Sequence, residues 1–199
     1  NFRFTCEPVT GKAGVSCPIR YAVQIHQPAA GQIVQLQVNG KTIGEGAEII
    51  NAEIESPKYW SPGRPNLYEA KLVLKQGDQV LDEVSTYFGL RSVDVAKASD
   101  RDYKYIRLNG SPVYLLGALH QSFHPDGIYQ YPDDATVRSD YELCKQIGLN
   151  MLRIHIKIPT PRELYWADKL GVLIMQDMPC FWKYTEQAQK WYVEMLHDS

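Results

Sequence analysis

Up to about residue 96, apolar and polar positions alternate with period two, the mark of strands with one dry face and one wet face. Ile19, Tyr21, Val23 and Ile25 alternate with Arg20, Ala22, Gln24 and His26. In a second run Val34, Leu36 and Val38 share a face, and the run stops at Asn39-Gly40, a dipeptide that tolerates the positive φ angles of a tight hairpin. Further runs span 48–54, 67–75 and 79–95, separated by a Pro- and Gly-rich stretch at 56–65 and by Gln76-Gly77-Asp78. With residues 2–7 in front, about seven short strands divided by turn signals predict a β-sandwich over residues 1–96.

Beyond residue 100 the pattern changes to strands followed by helices. Segments 105–108 and 113–119 flank Asn109-Gly110, a second hairpin signal. A helix is predicted over 134–147, with Val137, Tyr141, Cys144 and Ile147 on one face and Gly148 placed to end it. Residues 150–158 read as a strand covered on both sides. Thr160 then caps a second helix, with Pro161 at its first position, Glu163 completing a capping box and Gly171 closing it. A third strand over 172–178 leads into a helix over 181–196, where Tyr184, Ala188, Trp191 and Met195 recur every three or four residues. This βαβαβα order predicts parallel strands with right-handed crossovers in residues 97–199. The phosphate-binding pattern G-x-G-x-x-G follows none of the strands, so a (β/α)8 barrel is favoured over a dinucleotide-binding sheet and no cofactor is expected.

Composition narrows the classes further. The chain has 199 residues, 44% hydrophobic and 22% charged, enough to build a packed core. Its 21 basic and 23 acidic side chains leave a net charge of -2, which gives no field for holding nucleic acid or an anionic membrane. Apolar runs such as 171–175 are far shorter than the roughly 20 residues that cross a bilayer. Asn1 opens the chain without a Met or a leader, which reads as a processed product or a piece of something longer. The four cysteines, Cys6, Cys17, Cys144 and Cys180, lack C-x-x-C spacing and predict no zinc site. Cys6 and Cys17 either bridge two antiparallel strands or remain buried thiols.

In a barrel, ligands sit at the carboxyl ends of the strands. The first such end carries His120-Gln-Ser-Phe-His124-Pro-Asp126; the second carries Arg153, His155 and Lys157, alternating with apolar neighbours; the third ends in Gln176-Asp177-Met-Pro-Cys-Phe-Trp182. Buried polar groups need hydrogen-bond partners or a ligand. Arg153 is expected either to pair with Asp177 or to contact ligand, and both roles are compatible. His155 is read as a core histidine or a ligand contact, and Trp182 as a rim cover or a platform for the apolar face of a sugar. His120 and His124 have the spacing of helical metal ligands but lie in a loop beside Pro125, so no metal is expected there. The chain has neither a serine nucleophile elbow nor an H-E-x-x-H helix.

Several words in the sequence then become legible in order: Trp60-Ser-Pro62 with Pro65-Asn-Leu-Tyr68, Phe88-Gly-Leu-Arg91, Leu108-Asn-Gly110 with Pro112-Val-Tyr-Leu115 and Gly117. They continue through His124-Pro125, Ile147-Gly-Leu-Asn150, Arg153 and Asp168-x-x-Gly171-Val-Leu-Ile174. From about residue 57 onward this ordered set resembles glycoside hydrolase family 2, which includes β-galactosidases, β-glucuronidases and β-mannosidases. The resemblance implies an immunoglobulin-like β-sandwich followed by a TIM (β/α)8 barrel, commonly behind an N-terminal sugar-binding domain. It implies retaining hydrolysis of β-glycosides by two glutamates, the acid/base in an Asn-Glu word after the fourth barrel strand and the nucleophile near the seventh. Neither word occurs here: after Asp177 the glutamates are Glu186 and Glu194, neither preceded by Asn.

The expectation is therefore an incomplete barrel of three βα units, with no catalytic residue in this chain and no activity from it alone. Arg153 matches the family's second-strand arginine and His124 the histidine of its His-Pro word. Where many members have Arg-x-x-His-Tyr-Pro, this chain has Arg153-Ile-His-Ile-Lys157-Ile-Pro159, and Gln176-Asp177 stands where many have Asp-Glu. The substrate-binding set read from the sequence is Arg153, His120, His124, His155, Asp177 and Trp182, with a carbohydrate as the partner. The alternatives are a non-catalytic carbohydrate-binding or interaction module, and a different barrel hydrolase using Asp126 and Asp177. An open barrel edge predicts self-association, and the family analogy implies a periplasmic or extracellular setting.

Overall fold

The computed structural model describes residues 2–6, 16–100, 102–121 and 123–198. The chain divides into two compact units, residues 1–114 and 115–199. The sequence-based boundary at residue 96 falls at the end of the eighth strand, so the hairpin that follows belongs to the first unit.

In the first unit, β1 (Phe2–Cys6), β2 (Cys17–Val23) and β5 (Ile49–Ile54) form one antiparallel sheet in the order β1-β2-β5. A second has the order β4-β3-β6-β7, from β3 (Gln32–Val38), β4 (Lys41–Gly46), β6 (Tyr68–Gln76) and β7 (Gln79–Phe88). Alternation puts every second residue inside. Ile19, Tyr21, Ile50 and Ile54 from the first sheet share one core with Val34, Leu36, Val38, Ala70, Leu72 and Phe88 from the second. The hairpin at Asn39-Gly40 forms as read, with φ of 49° and 80°, the left-handed pair that this dipeptide adopts at low steric cost. Among the described strands β7 is the edge of its sheet, exposed over its first seven residues, and Glu83 on it pairs with Lys71 at 2.9 Å.

The predicted run over 79–95 is in fact two strands. The chain leaves β7 at Gly89 and Leu90, where the Leu90 carbonyl accepts from the buried Trp60 backbone and a side chain on residue 89 would crowd Leu67 and Trp60. It resumes as β8 (Val93–Lys97), which pairs with β9 (Lys104–Leu108) and β10 (Ser111–Pro112) in a separate sheet. Asn109-Gly110 joins β9 to β10, and the Asn109 side chain accepts from Ser92 N and donates to Trp60 O. The Cys6–Cys17 bridge weighed from the sequence rests on the Cys6 side chain, which lies outside the described residues.

The second unit is a parallel sheet in the order β11 (Gly117–His120), β12 (Met151–Ile154), β13 (Leu173–Gln176), with α1 (Asp134–Gln146), α2 (Pro161–Leu170) and α3 (Glu186–Asp198) following the strands in turn. Both predicted starts and stops of α2 are present: the Thr160–Glu163 capping box, Pro161 in the first turn and Gly171 at φ 78°. The strand predicted over 150–158 ends at Ile154, because Ile156 turns left-handed at φ 46° and breaks the pleat. The last helix begins at Glu186 rather than 181, with Thr185 accepting at its start through Oγ1 from Ala188 N, which leaves Tyr184 outside it. Among the described residues no helix is long and apolar enough to cross a membrane.

Between sheet and helices lies a core of Val137, Tyr141, Leu152, Ile154, Ala167 and Val172. Ionisable groups are set into it. Glu163 is fully buried; its Oε2 accepts from Thr160 N at 2.7 Å and Thr160 Oγ1 at 3.0 Å, and its Oε1 lies 3.9 Å from His120 Nε2. His120 Nε2 is also 2.8 Å from the Tyr131 hydroxyl, which donates to Asp140 Oδ2 at 2.8 Å. Because that hydroxyl donates to Asp140, it accepts from His120, whose neutral ring therefore carries its proton on Nε2. Burial lowers the His120 pKa, opposed by Glu163 and Asp140 and assisted by Lys157. Burial also raises the Tyr131 phenol well above its ordinary value, with Asp140 adding to the rise.

Two outcomes follow for stability. Replacing Glu163 by Ala removes the acceptor shared by both Thr160 donors and is expected to destabilise the second unit by about 1–3 kcal/mol, read as a lower urea midpoint. For His120 the folded state favours the neutral ring, so the unfolded chain takes up the proton first as pH falls below about 6.5. Stability of this unit should drop from there until the lowered native value is passed. Urea titrations at a series of pH values should show that slope in the native chain and a weaker one in His120→Gln.

Candidate functional site

A parallel strand sends successive side chains to opposite sides. The register aligns Ala118 with Leu152 and Ile174, and His120 with Ile154 and Gln176. Leu152 and Ile154 are buried among the helices, so this is the helix side. The other side carries Leu119, Arg153 and Met175 in one row. Its apolar members are open to solvent, Leu119 at 56% and Met175 at 43%.

One step further along the strands, Gln121, His155 and Asp177 follow at their carboxyl ends. Arg153 Nε donates to Asp177 Oδ1 at 3.0 Å and its terminal nitrogen to Oδ2 at 2.9 Å, a two-pronged ion pair between neighbouring strands. The arginine holds the Asp177 carboxyl below the usual carboxylate range, and Ile156 N, which donates to Oδ2 at 3.4 Å, acts in the same direction. Gln121 Nε2 lies 2.9 Å from His155 Nδ1, and the His155 backbone donates to the His120 carbonyl at 2.9 Å. Lys157 donates to the carbonyl of Tyr129 on the loop after β11. That loop closes on itself through two backbone hydrogen bonds between His124 and Ile128, and His124 Nδ1 accepts from Asp126 N at 3.2 Å.

The six residues singled out in the sequence therefore fall into three groups. Arg153, Asp177 and His155 come together on the side away from the helices. His120, one residue before Gln121, points to the helix side and is committed to Tyr131. His124 sits in the self-closed loop with its ring tilted against Tyr131, and Trp182 is fully exposed on the segment before α3. Sequence reasoning missed Gln121, whose position one register step beyond His120 would have marked it. It also missed the Tyr131–Asp140 pair, which has no local signature. Among the described residues no group of three or more His, Cys, Asp or Glu side chains is placed to hold a metal ion.

Comparison with known proteins gives this arrangement a context. Residues 2–91 match the family model described as Glycosyl hydrolases family 2. A "Putative beta-glucuronidase" of Formosa agariphila is 33% identical over 134 residues, covering 67% of this chain and 15% of that protein. "Beta-galactosidase 2" of Enterobacter cloacae is 29% identical over 126 residues, covering 62% of this chain and 12% of that protein. Among solved structures, a beta-glycosidase from Bacteroides vulgatus superposes with a TM-score of 0.81 at 19% identity, over 99% of this chain and 26% of that one. The chain thus spans a minor part of the length of the relatives it matches. The ordered words from Trp60 to Ile174, the family match and the shared fold agree, and the chain belongs to glycosyl hydrolases family 2.

Proposed function

We propose that this chain supplies the immunoglobulin-like sandwich and the first three βα units of the (β/α)8 barrel of a retaining β-glycosidase of the glucuronidase and galactosidase kind, and that the terminal sugar binds at the carboxyl ends of β11, β12 and β13. The observation that carries this reading is the Arg153–Asp177 pair. It stands at the strand ends, on the side away from the helices, beside His155 and Gln121. In a retaining glycosidase one carboxyl protonates the leaving oxygen while a second, about 5–5.5 Å away, attacks the anomeric carbon. The glutamates that follow Asp177 in this chain lie on α3, so both catalytic carboxylates come from outside these residues. Arg153, kept charged and fixed by Asp177, forms the floor that orients the sugar. His155, with His124 from the loop and Trp182 from the segment before α3, contributes hydroxyl contacts and a stacking face. Parent activity outside the cytoplasm fits hydrolysis of environmental carbohydrate.

In the full-length protein, Arg153→Ala is expected to lower kcat/KM on a chromogenic β-glycoside by about a hundredfold or more, the cost of a misplaced substrate, with Asp177→Asn losing less. The 199-residue chain alone should give no turnover. An unchanged rate in Arg153→Ala would remove the floor from the mechanism. The outer edge of β13 has no hydrogen-bonded neighbour among the described strands, and Met175 on that strand is exposed. Light scattering of the isolated chain is therefore expected to report self-association; a stable monomer across concentrations would count against an open barrel edge.

A further inference from the structure

Three separate constraints act on His155 and the residue after it. The His155 backbone N–H is tied to the His120 carbonyl at 2.9 Å. The next residue, Ile156, is held at φ 46°, a conformation that a β-branched side chain rarely adopts, with its N–H on Asp177 Oδ2. Gln121 Nε2 meets the His155 ring at Nδ1. Strained backbone persists only where its surroundings over-determine it, and such over-determination concentrates at binding sites.

The contact with Gln121, made through the amide nitrogen, points to one state of the ring. An amide nitrogen only donates, so Nδ1 accepts, and the proton of the neutral ring must sit on Nε2. We infer that Gln121 is a positioning residue that fixes His155 as an Nε2–H donor, aimed at an acceptor oxygen of the ligand. Among the described residues no group takes up Nε2. Asp177 accepts at Oδ1 from Arg153 and at Oδ2 from Arg153 and Ile156, and the hydrogen bonds of its carboxylate run to these groups and not to the His155 ring. His120, by contrast, spends its Nε2–H on Tyr131 on the helix side. Of these two strand-end histidines, His155 is the one whose donor remains for a ligand. The ligand class rests on the proposed reading of this end as the sugar site, where the acceptor is a sugar hydroxyl or carboxylate oxygen; the positioning itself does not depend on that reading.

Gln121 is exposed, so its substitution leaves the core intact. Gln121→Glu replaces the donor by a carboxylate that only accepts, and should move the His155 proton to Nδ1. Gln121→Leu should abolish the preference without creating the opposite one. Long-range nitrogen–proton correlation spectra of the histidine rings read this directly. The expected result is an Nε2–H tautomer in the native protein and an Nδ1–H tautomer in Gln121→Glu. Nδ1–H in the native protein, or an unchanged tautomer in Gln121→Glu, overturns the inference. Kinetics of the full-length protein on 4-nitrophenyl β-glucuronide and β-galactoside form the second arm. There Gln121→Glu should raise KM about five- to tenfold, the loss of one hydrogen bond, with a smaller change in kcat. A swapped tautomer with unchanged KM on both substrates would uphold the positioning by Gln121 and refute this end of the sheet as the sugar site.

Discussion

A side chain on a parallel strand has two sides to choose from, and the choice is made by parity. In the second unit that constraint decides which polar groups lie clear of the helices. Leu119, Arg153 and Met175 share one side, while His120, Ile154 and Gln176 share the other, where Ile154 is sealed under the helices. A one-residue slip in β12 would bury Arg153 and expose Ile154. The core of Val137, Tyr141 and Ala167 on one side and the strand-end polar cluster on the other are thus two results of a single register.

Asp177 converts that register into a local geometry. Its carboxylate is shared between the guanidinium of the neighbouring strand and the backbone of Ile156, so one residue both fixes Arg153 and holds the turn at Ile156. The bend ends β12 at Ile154 and leaves His155 at the lip of the sheet, where Gln121 reaches it. Replacing the carboxylate would disturb an ion pair, a turn and a ring orientation together, so effects measured at Asp177, Arg153 and His155 should be non-additive.

Much of this was legible in the sequence wherever the signal is local. Alternation located the sandwich strands, Asn39-Gly40 and Asn109-Gly110 located hairpins, and Thr160-x-x-Glu163 with Pro161 and Gly171 located α2 nearly to the residue. The Arg153–Asp177 contact was also readable, since two strands separated by a helix lie side by side in a parallel sheet. What escaped depends on contacts distant in sequence or on backbone that defies propensity. Nothing about isoleucine announces a left-handed turn at Ile156, so β12 looked longer than it is. Glu163 was visible as a cap but not as the buried neighbour of His120, and Tyr131 and Asp140 carried no pattern at all. The sequence set His120 beside Arg153 in one binding set, and the register places the two on opposite sides of the sheet.

The free edge of the four-stranded sheet has a meaning of its own. Val80, Leu81 and Val84 lie along β7, an edge with no strand neighbour beyond β6 among the described residues, where a second chain could add a strand. Asp82 and Glu83 interrupt that apolar run at its middle, and the pairing with β6 shifts register between Leu74 and Lys75, which twists the margin out of flatness. The Asp82 carboxylate and the Glu83–Lys71 ion pair on a bulged ribbon make a poor template for a second copy. The first unit therefore carries its own guard against fibrous aggregation, independent of the polar cluster at the strand ends of the other unit.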